Sequence, residues 1–139
     1  MDVKSREEII KFAQKLNSTN LSPLRSGNIS LKAQNNNEEG FLITPSGKKY
    51  DSLKADDIVF VSLKGDYDEK GLQPSSEWRF HKDIYLKKTD AKAVVHAHSP
   101  HATAVSAHSK DIPAFHYMIA LAGGNNIKCA KYATFGTQE

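Results

Sequence analysis

Four short stretches of strand pattern, each closed by turn residues, limit what this chain can fold into. Asn28–Ala33 alternates apolar and polar residues with period two. Asn35–Gly40 is polar and reads as a hairpin tip, with Phe41–Thr44 as the return strand. Pro45-Ser46-Gly47 is a turn, Ile58–Leu63 an apolar run of strand length, and Gly65–Gly71 a loop. Ala93–His98 opens with Ala-Val-Val, a buried-strand signature, and ends before Pro100. Short turns join antiparallel neighbours. The expectation is a mixed, largely antiparallel sheet with helices against it.

The helices read less evenly. Ser5-Arg6-Glu7-Glu8 has capping-box spacing, and Ile9, Phe12, Ala13 and Leu16 then follow as one apolar helical face. Ser76 reads as the N-cap of a second helix, in which Trp78, His81, Tyr85 and Leu86 recur near helical spacing. A short alanine-rich helix is expected over 102–108, a helical turn over 117–122 before Gly123-Gly124, and a last strand over Ile127–Ala130. Tyr132–Glu139 reads as ordered domain sequence. With 139 residues and no repeat or linker, residues 1–139 are expected to belong to one domain.

Composition narrows the function. The net charge of +3, from 19 basic and 16 acidic residues, comes from scattered lysines, so a nucleic-acid partner is not expected. No apolar run approaches membrane length and Met1–Glu8 has no signal-peptide core, so a cytoplasmic protein is expected, with no membrane partner. The single cysteine, Cys129, fits a reducing compartment and reads as a small buried hydrophobe.

The chemistry-bearing residues are few. His96-Ala97-His98 on a strand would point two imidazoles to one face, a spacing that can chelate a metal ion, zinc above all. Chance pairing at a polar strand end explains the same spacing. Pro74-Ser75-Ser76-Glu77 reads first as a helix start. It also offers two hydroxyls and free N–H groups to an anion, with Glu77 placed to act as a base. Ser26-Gly27-Asn28 and Thr44-Pro45-Ser46-Gly47 are turns that could let backbone N–H groups approach a phosphate. Plain turn chemistry accounts for both.

In this order the motifs resemble those of the class II aldolase/adducin family. Ser26–Ser30, Thr44–Gly47, Pro74–Glu77, His96–Pro100, Ile112–Met118 and Tyr132–Thr137 carry the resemblance, which spans nearly the whole chain. It implies a three-layer α/β/α fold around a central, mainly antiparallel sheet, incomplete at the C-terminus, with zinc as cofactor and a homotetramer as the assembly. It implies cleavage of a ketose 1-phosphate, a phosphorylated sugar, into dihydroxyacetone phosphate and an aldehyde. His96 and His98 match two zinc ligands, and Glu77 matches the acid/base carboxylate. Gly27, Asn28, Ser46, Gly47, Ser75 and Ser76 match the phosphate-binding loops. Tyr117 matches a tyrosine that serves a neighbouring subunit's site.

The family's third zinc histidine falls beyond Glu139. By resemblance the chain is the N-terminal two thirds of an enzyme, expected to bind zinc weakly and to turn over slowly or not at all, with Glu77 available as a third ligand. His101, His108 and His116 are weaker candidates, His116 being expected in the core. Trp78, Phe80, Tyr85 and Leu86 are expected to pack. The alternatives are a pentulose-5-phosphate 4-epimerase or methylthioribulose-1-phosphate dehydratase of the same superfamily, or a non-catalytic adducin-like interaction module. Epimerases typically hold Asp where Glu77 stands.

Overall fold

The computed structural model describes residues 3–134 and 137, apart from the side chain of Arg25. Met1, Asp2, Phe135, Gly136, Gln138 and Glu139, the last four part of the expected ordered C-terminal stretch, lie outside the described residues. Four strands form one sheet in the order β3-β2-β1-β4: β1 (Asn28–Asn35), β2 (Glu38–Ile43), β3 (Val59–Ser62) and β4 (Ala93–His96). All three pairings are antiparallel.

Alternation along the strands divides the core in two. Ile29 and Leu42 join Ile9, Ala13 and Leu16 of α1 (Val3–Ser18), together with Tyr50, Leu53 and Ile58. Phe41, Ile43, Val59 and Val61 point the other way and enclose Tyr85 of α2 (Trp78–Lys87). Helices on both faces give the expected α/β/α layering. No helix among the described residues is long and apolar enough to cross a membrane.

Local chemistry moved several boundaries. Ser5 lies inside α1 rather than ahead of its first turn. Arg6 ties the helix to the rest of the chain by donating to the carbonyls of Ala55 (2.9 Å) and Ile58 (2.6 Å). Phe12 sits on the flank of the apolar stripe and stays 43% exposed. The hairpin tip contracts to Asn36-Asn37, both at positive φ, so Glu38–Gly40 belong to β2. Among the described residues β4 pairs on one side only, with β1, and its Val95 is exposed. It stops at His96 because its partner there, Asn28, is the first residue of β1.

Ser76 does not cap α2. Glu77 holds that position, while Ser75 closes the turn by accepting the Trp78 N–H at its carbonyl (3.0 Å). Leu86 is half exposed rather than packed. Past β4 come α3 (Pro100–Ala107) and a 3-10 segment over Tyr117–Ala122. The strand expected at Ile127–Ala130 is a single bridge from Ile127 to Ile112, because Asp111 takes the next available N–H, that of Cys129 (2.8 Å). Cys129 is partly exposed, not buried.

Candidate active site

The site begins at the first residues of β1. Gly27 has no room for a side chain: a Cβ would collide with Ser22 Oγ and the His96 carbonyl. Its own carbonyl accepts from the Tyr50 hydroxyl. This close approach draws the 22–28 segment against the end of β4. Ser22 Oγ also accepts the His98 N–H (3.2 Å), so the chain beyond β4 is pinned where the sheet ends.

The other two turns are tied to one another. Pro45 and Pro74 form an isolated antiparallel bridge, flanked by Ser46 N–H to Gln73 O (2.9 Å) and Ser75 N–H to Thr44 O (3.0 Å). The result is one cleft of about 320 Å³. All six expected phosphate-loop residues line it, and Glu77 and His98 lie on its wall. Ser46, Gly47 and Ser76 are exposed, whereas Gly27, Asn28 and Ser75 are buried. Gly47 has φ +74° with open space around it, so its glycine answers to backbone conformation.

Glu77, His96 and His98 converge although His98 lies outside β4. His96 Nε2 is 3.1 Å from Glu77 Oε2 and 2.8 Å from His98 Nε2. One ligand atom from each lies within 4.8 Å of the others. Two imidazole nitrogens and a carboxylate oxygen are a donor set that suits a divalent transition metal such as zinc. Burial holds His96 below the usual imidazole range, with the neighbouring His98 acting in the same sense and Glu77 opposing. Neutral imidazole is the form a metal requires.

Behind this cluster lies a polar network that the sequence reading did not assign. Asn28 Nδ2 donates to Glu77 Oε2 (2.9 Å), and Asn28 Oδ1 is 2.5 Å from His81 Nε2. His81 Nδ1 is 2.7 Å from Ser30 Oγ, which is 2.8 Å from the Tyr85 hydroxyl. His81 and Ser30 are fully buried. Burial, with a smaller contribution from His96, pushes His81 down to about 3. Burial raises Tyr85. Helical position alone signalled His81, one turn before Tyr85 on the buried face of α2. Phe80 covers the site's edge, stacked on His81 and edge-on to His96.

Lys48 was also missed. It lines the cleft, and its Nζ pairs with Asp57 Oδ1 at 2.5 Å. That hydrogen bond, more than any other influence, holds Asp57 below the usual carboxylate range.

The weaker candidates stand apart. His101 and His108 are exposed on α3 and at its end. His116 is exposed, not in the core, and its Nδ1 accepts the Met118 N–H (3.2 Å). Tyr117 is 80% exposed and lines a separate surface hollow with Phe115, His116 and Ala120, away from Glu77.

Among the described residues a four-stranded antiparallel sheet lies between helices, and a turn-lined cleft opens beside a His/His/Glu donor set, which defines an α/β scaffold with a candidate metal site. The chain belongs to the class II aldolase and adducin N-terminal domain family, which matches residues 7–139. It is 48% identical over 136 residues to an L-fuculose phosphate aldolase of Escherichia coli strain K12, covering 98% of this chain and 61% of that protein. It is 44% identical over 134 residues to a 5-methylthioribulose-1-phosphate/5-deoxyribulose-1-phosphate aldolase of Rhodospirillum rubrum, covering 96% and 58%. A solved L-fuculose 1-phosphate aldolase superposes with a TM-score of 0.89 at 36% identity, covering 99% of this chain and 64% of that one. The chain thus spans about 61% of the length of its E. coli relative.

Proposed function

We propose that the chain carries the phosphate- and metal-binding half of a zinc-dependent aldolase. Its substrate is a ketose 1-phosphate of the L-fuculose 1-phosphate type, and its products are dihydroxyacetone phosphate and an aldehyde. The observation that carries this reading is the cleft of about 320 Å³ that residues of all three turns line together with Glu77 and His98. Gly27, Asn28, Ser46, Gly47, Ser75 and Ser76 hold the phosphate, so that binding energy from this remote group orients the reacting carbons. A divalent ion held by His96, His98 and Glu77 supplies Lewis-acid polarisation of the substrate's carbonyl.

Cleavage passes the electrons of the carbon–carbon bond into an enediolate as the hydroxyl of the departing fragment gives up its proton and becomes the aldehyde carbonyl. The proton that carbon gains afterwards balances the one the hydroxyl loses. Glu77 then returns a proton to the carbon. Glu77 would have to be free of the metal for this, since a ligating carboxylate is not available as acid or base. Tyr117 acts on the aldehyde oxygen of a neighbouring copy's site in a cytoplasmic homotetramer. Its exposure on a surface away from its own Glu77 supports that role.

Relatives that act on 5-methylthioribulose 1-phosphate and 5-deoxyribulose 1-phosphate support a second substrate of the same class. The shared 1-phosphate ketose end is what the cleft addresses, and the aldehyde end distinguishes the sugars.

The test is hydrogen–deuterium exchange at the hydroxymethyl carbon of dihydroxyacetone phosphate, followed by proton NMR in D2O with zinc. This half-reaction needs the phosphate turns, the metal ligands and Glu77, but no aldehyde. Slow exchange that Glu77→Gln abolishes is expected. No exchange, or exchange indifferent to Glu77, overturns the reading.

A further inference from the structure

We propose that His81 is a positioning residue: acting through the Asn28 side-chain amide, it fixes the orientation of the Glu77 carboxylate toward His96 and His98. The proposal rests on the reading of Glu77 as a metal ligand.

The argument is one of donors and acceptors. A carboxylate accepts and does not donate, so the Asn28 group 2.9 Å from Glu77 Oε2 is the NH2. The other end of that amide, Oδ1, accepts only. The His81 Nε2 facing it at 2.5 Å must therefore carry a hydrogen. A neutral imidazole has one N–H, so His81 Nδ1 is an acceptor, and Ser30 Oγ–H donates to it across 2.7 Å. Ser30 has spent its hydrogen, so the Tyr85 O–H donates to Ser30 across 2.8 Å. Every hydrogen in the row from Tyr85 to Glu77 then has one direction.

The placement gives this row leverage. Asn28 pairs with His96 across the β1–β4 ladder, so one residue is in register with one proposed ligand and bonded to another. Glu77 stands at the N-cap of α2 with no side-chain capping bond to hold it. Without a donor on Oε2 its carboxylate could rotate about the last side-chain bonds. His81 is held rigidly: it is fully buried, one turn along α2 from Glu77, and stacked under Phe80. Without it, Asn28 can flip its amide and lose the bond to Glu77. Partners behind a metal ligand commonly set its affinity by about ten- to a hundredfold.

Two measurements on the full chain test this. The first is long-range 1H–15N NMR of the imidazoles in the zinc-free protein at neutral pH. The Nε2–H tautomer is expected for His81, and the Nδ1–H tautomer overturns the proposal without any substitution. The second is zinc titration by calorimetry of His81→Phe, His81→Gln and His81→Asn, each alone and combined with Glu77→Ala.

A glutamine amide can reproduce the Nε2–H donor, and an asparagine amide reaches only the Nδ1 position. His81→Gln is therefore expected to stay within about threefold of wild type, and His81→Phe and His81→Asn to bind about ten- to a hundredfold more weakly. In the Glu77→Ala background the residue at 81 should make no difference. Equal weakening with and without Glu77 would reduce His81 to a structural role. If Glu77→Ala alone leaves zinc affinity unchanged, or wild type takes up no zinc, the metal-ligand reading of Glu77 fails. The tautomer measurement still decides the direction of the row.

Discussion

Pro45 and Pro74 face each other across an antiparallel bridge, although 29 positions apart in sequence, and this bridge makes one cleft out of two turns. Neither proline can donate a backbone hydrogen bond. The bonds that hold the bridge come from their neighbours, Ser46 to Gln73 and Ser75 to Thr44. Ser46, Gly47, Ser75 and Ser76 of the two turns thereby line the same cleft.

Two glycines lining that cleft should respond differently to alanine. Gly47 has positive φ and open space, so Gly47→Ala is expected to cost about 1 kcal/mol from conformation alone. Zinc affinity should not change. At Gly27 the new methyl meets Ser22 Oγ and the backbone of His96, and overpacking of this kind costs about 1–3 kcal/mol. Because His96 must move, Gly27→Ala should also weaken zinc binding. Urea denaturation and zinc calorimetry on the two variants give the comparison.

Lys48 should be the principal cation of the cleft. Lys48→Met is expected to weaken inorganic phosphate binding by about tenfold, equivalent to ~1.4 kcal/mol. Asp57→Asn removes the anion that competes for the Lys48 ammonium and should strengthen it. Phosphate titrations of the three proteins at low salt check the order. Weaker binding in Asp57→Asn than in wild type would show that Asp57 serves to aim Lys48 into the cleft.

Stability should fall with acid through His81. Its imidazole stands at about 3 in the folded chain against 6.5 when free, so between these values the unfolded state binds the extra proton. Stability from this group is complete above about pH 6.5 and is lost progressively as pH falls toward 3. From pH 7 to pH 5 the loss is about 2 kcal/mol. Denaturation of the zinc-free protein at both pH values, beside His81→Gln, isolates it. The variant should lack that portion of the pH dependence.

The fold was legible where local rules and tertiary demands agree. The β1–β2 hairpin and the apolar run of β3 carry their own pattern, and Ile9, Ala13 and Leu16 mark the buried side of α1. The edges were not. Ser5 and Ser76 have capping chemistry, but α1 and α2 are held by Arg6 and by the Ser75 turn, which are tertiary and loop decisions. Ala-Val-Val reads as interior strand, and among the described residues β4 pairs only with β1, a fact of strand order rather than of composition.

In the site, Glu77, His96 and His98 stood out because their side chains have few bland uses together. Asn28 was assigned to the phosphate loops. It lines the cleft as expected, and its side chain is engaged by Glu77 and His81. His81 and Lys48 were not legible. A histidine on a helix face and a lysine after a turn acquire meaning only from partners 53 positions away in the first case and nine in the second.

The metal cluster makes the last prediction, in which folding and binding are linked. Glu77, His96 and His98 come from the N-cap of α2, the end of β4 and the segment pinned by Ser22. An unfolded chain does not hold them together, so zinc is expected to bind the folded state preferentially. Zinc at a hundred times its dissociation constant should then raise stability by about 2.7 kcal/mol. Added chelator should return the melting temperature to that of the metal-free protein. His96→Ala/His98→Ala removes two of three donors and should abolish the zinc-induced shift while keeping the metal-free melt close to wild type, since both side chains are only partly buried. Thermal unfolding with and without zinc reads both. A shift of equal size in the double variant would place the bound zinc somewhere other than this cluster.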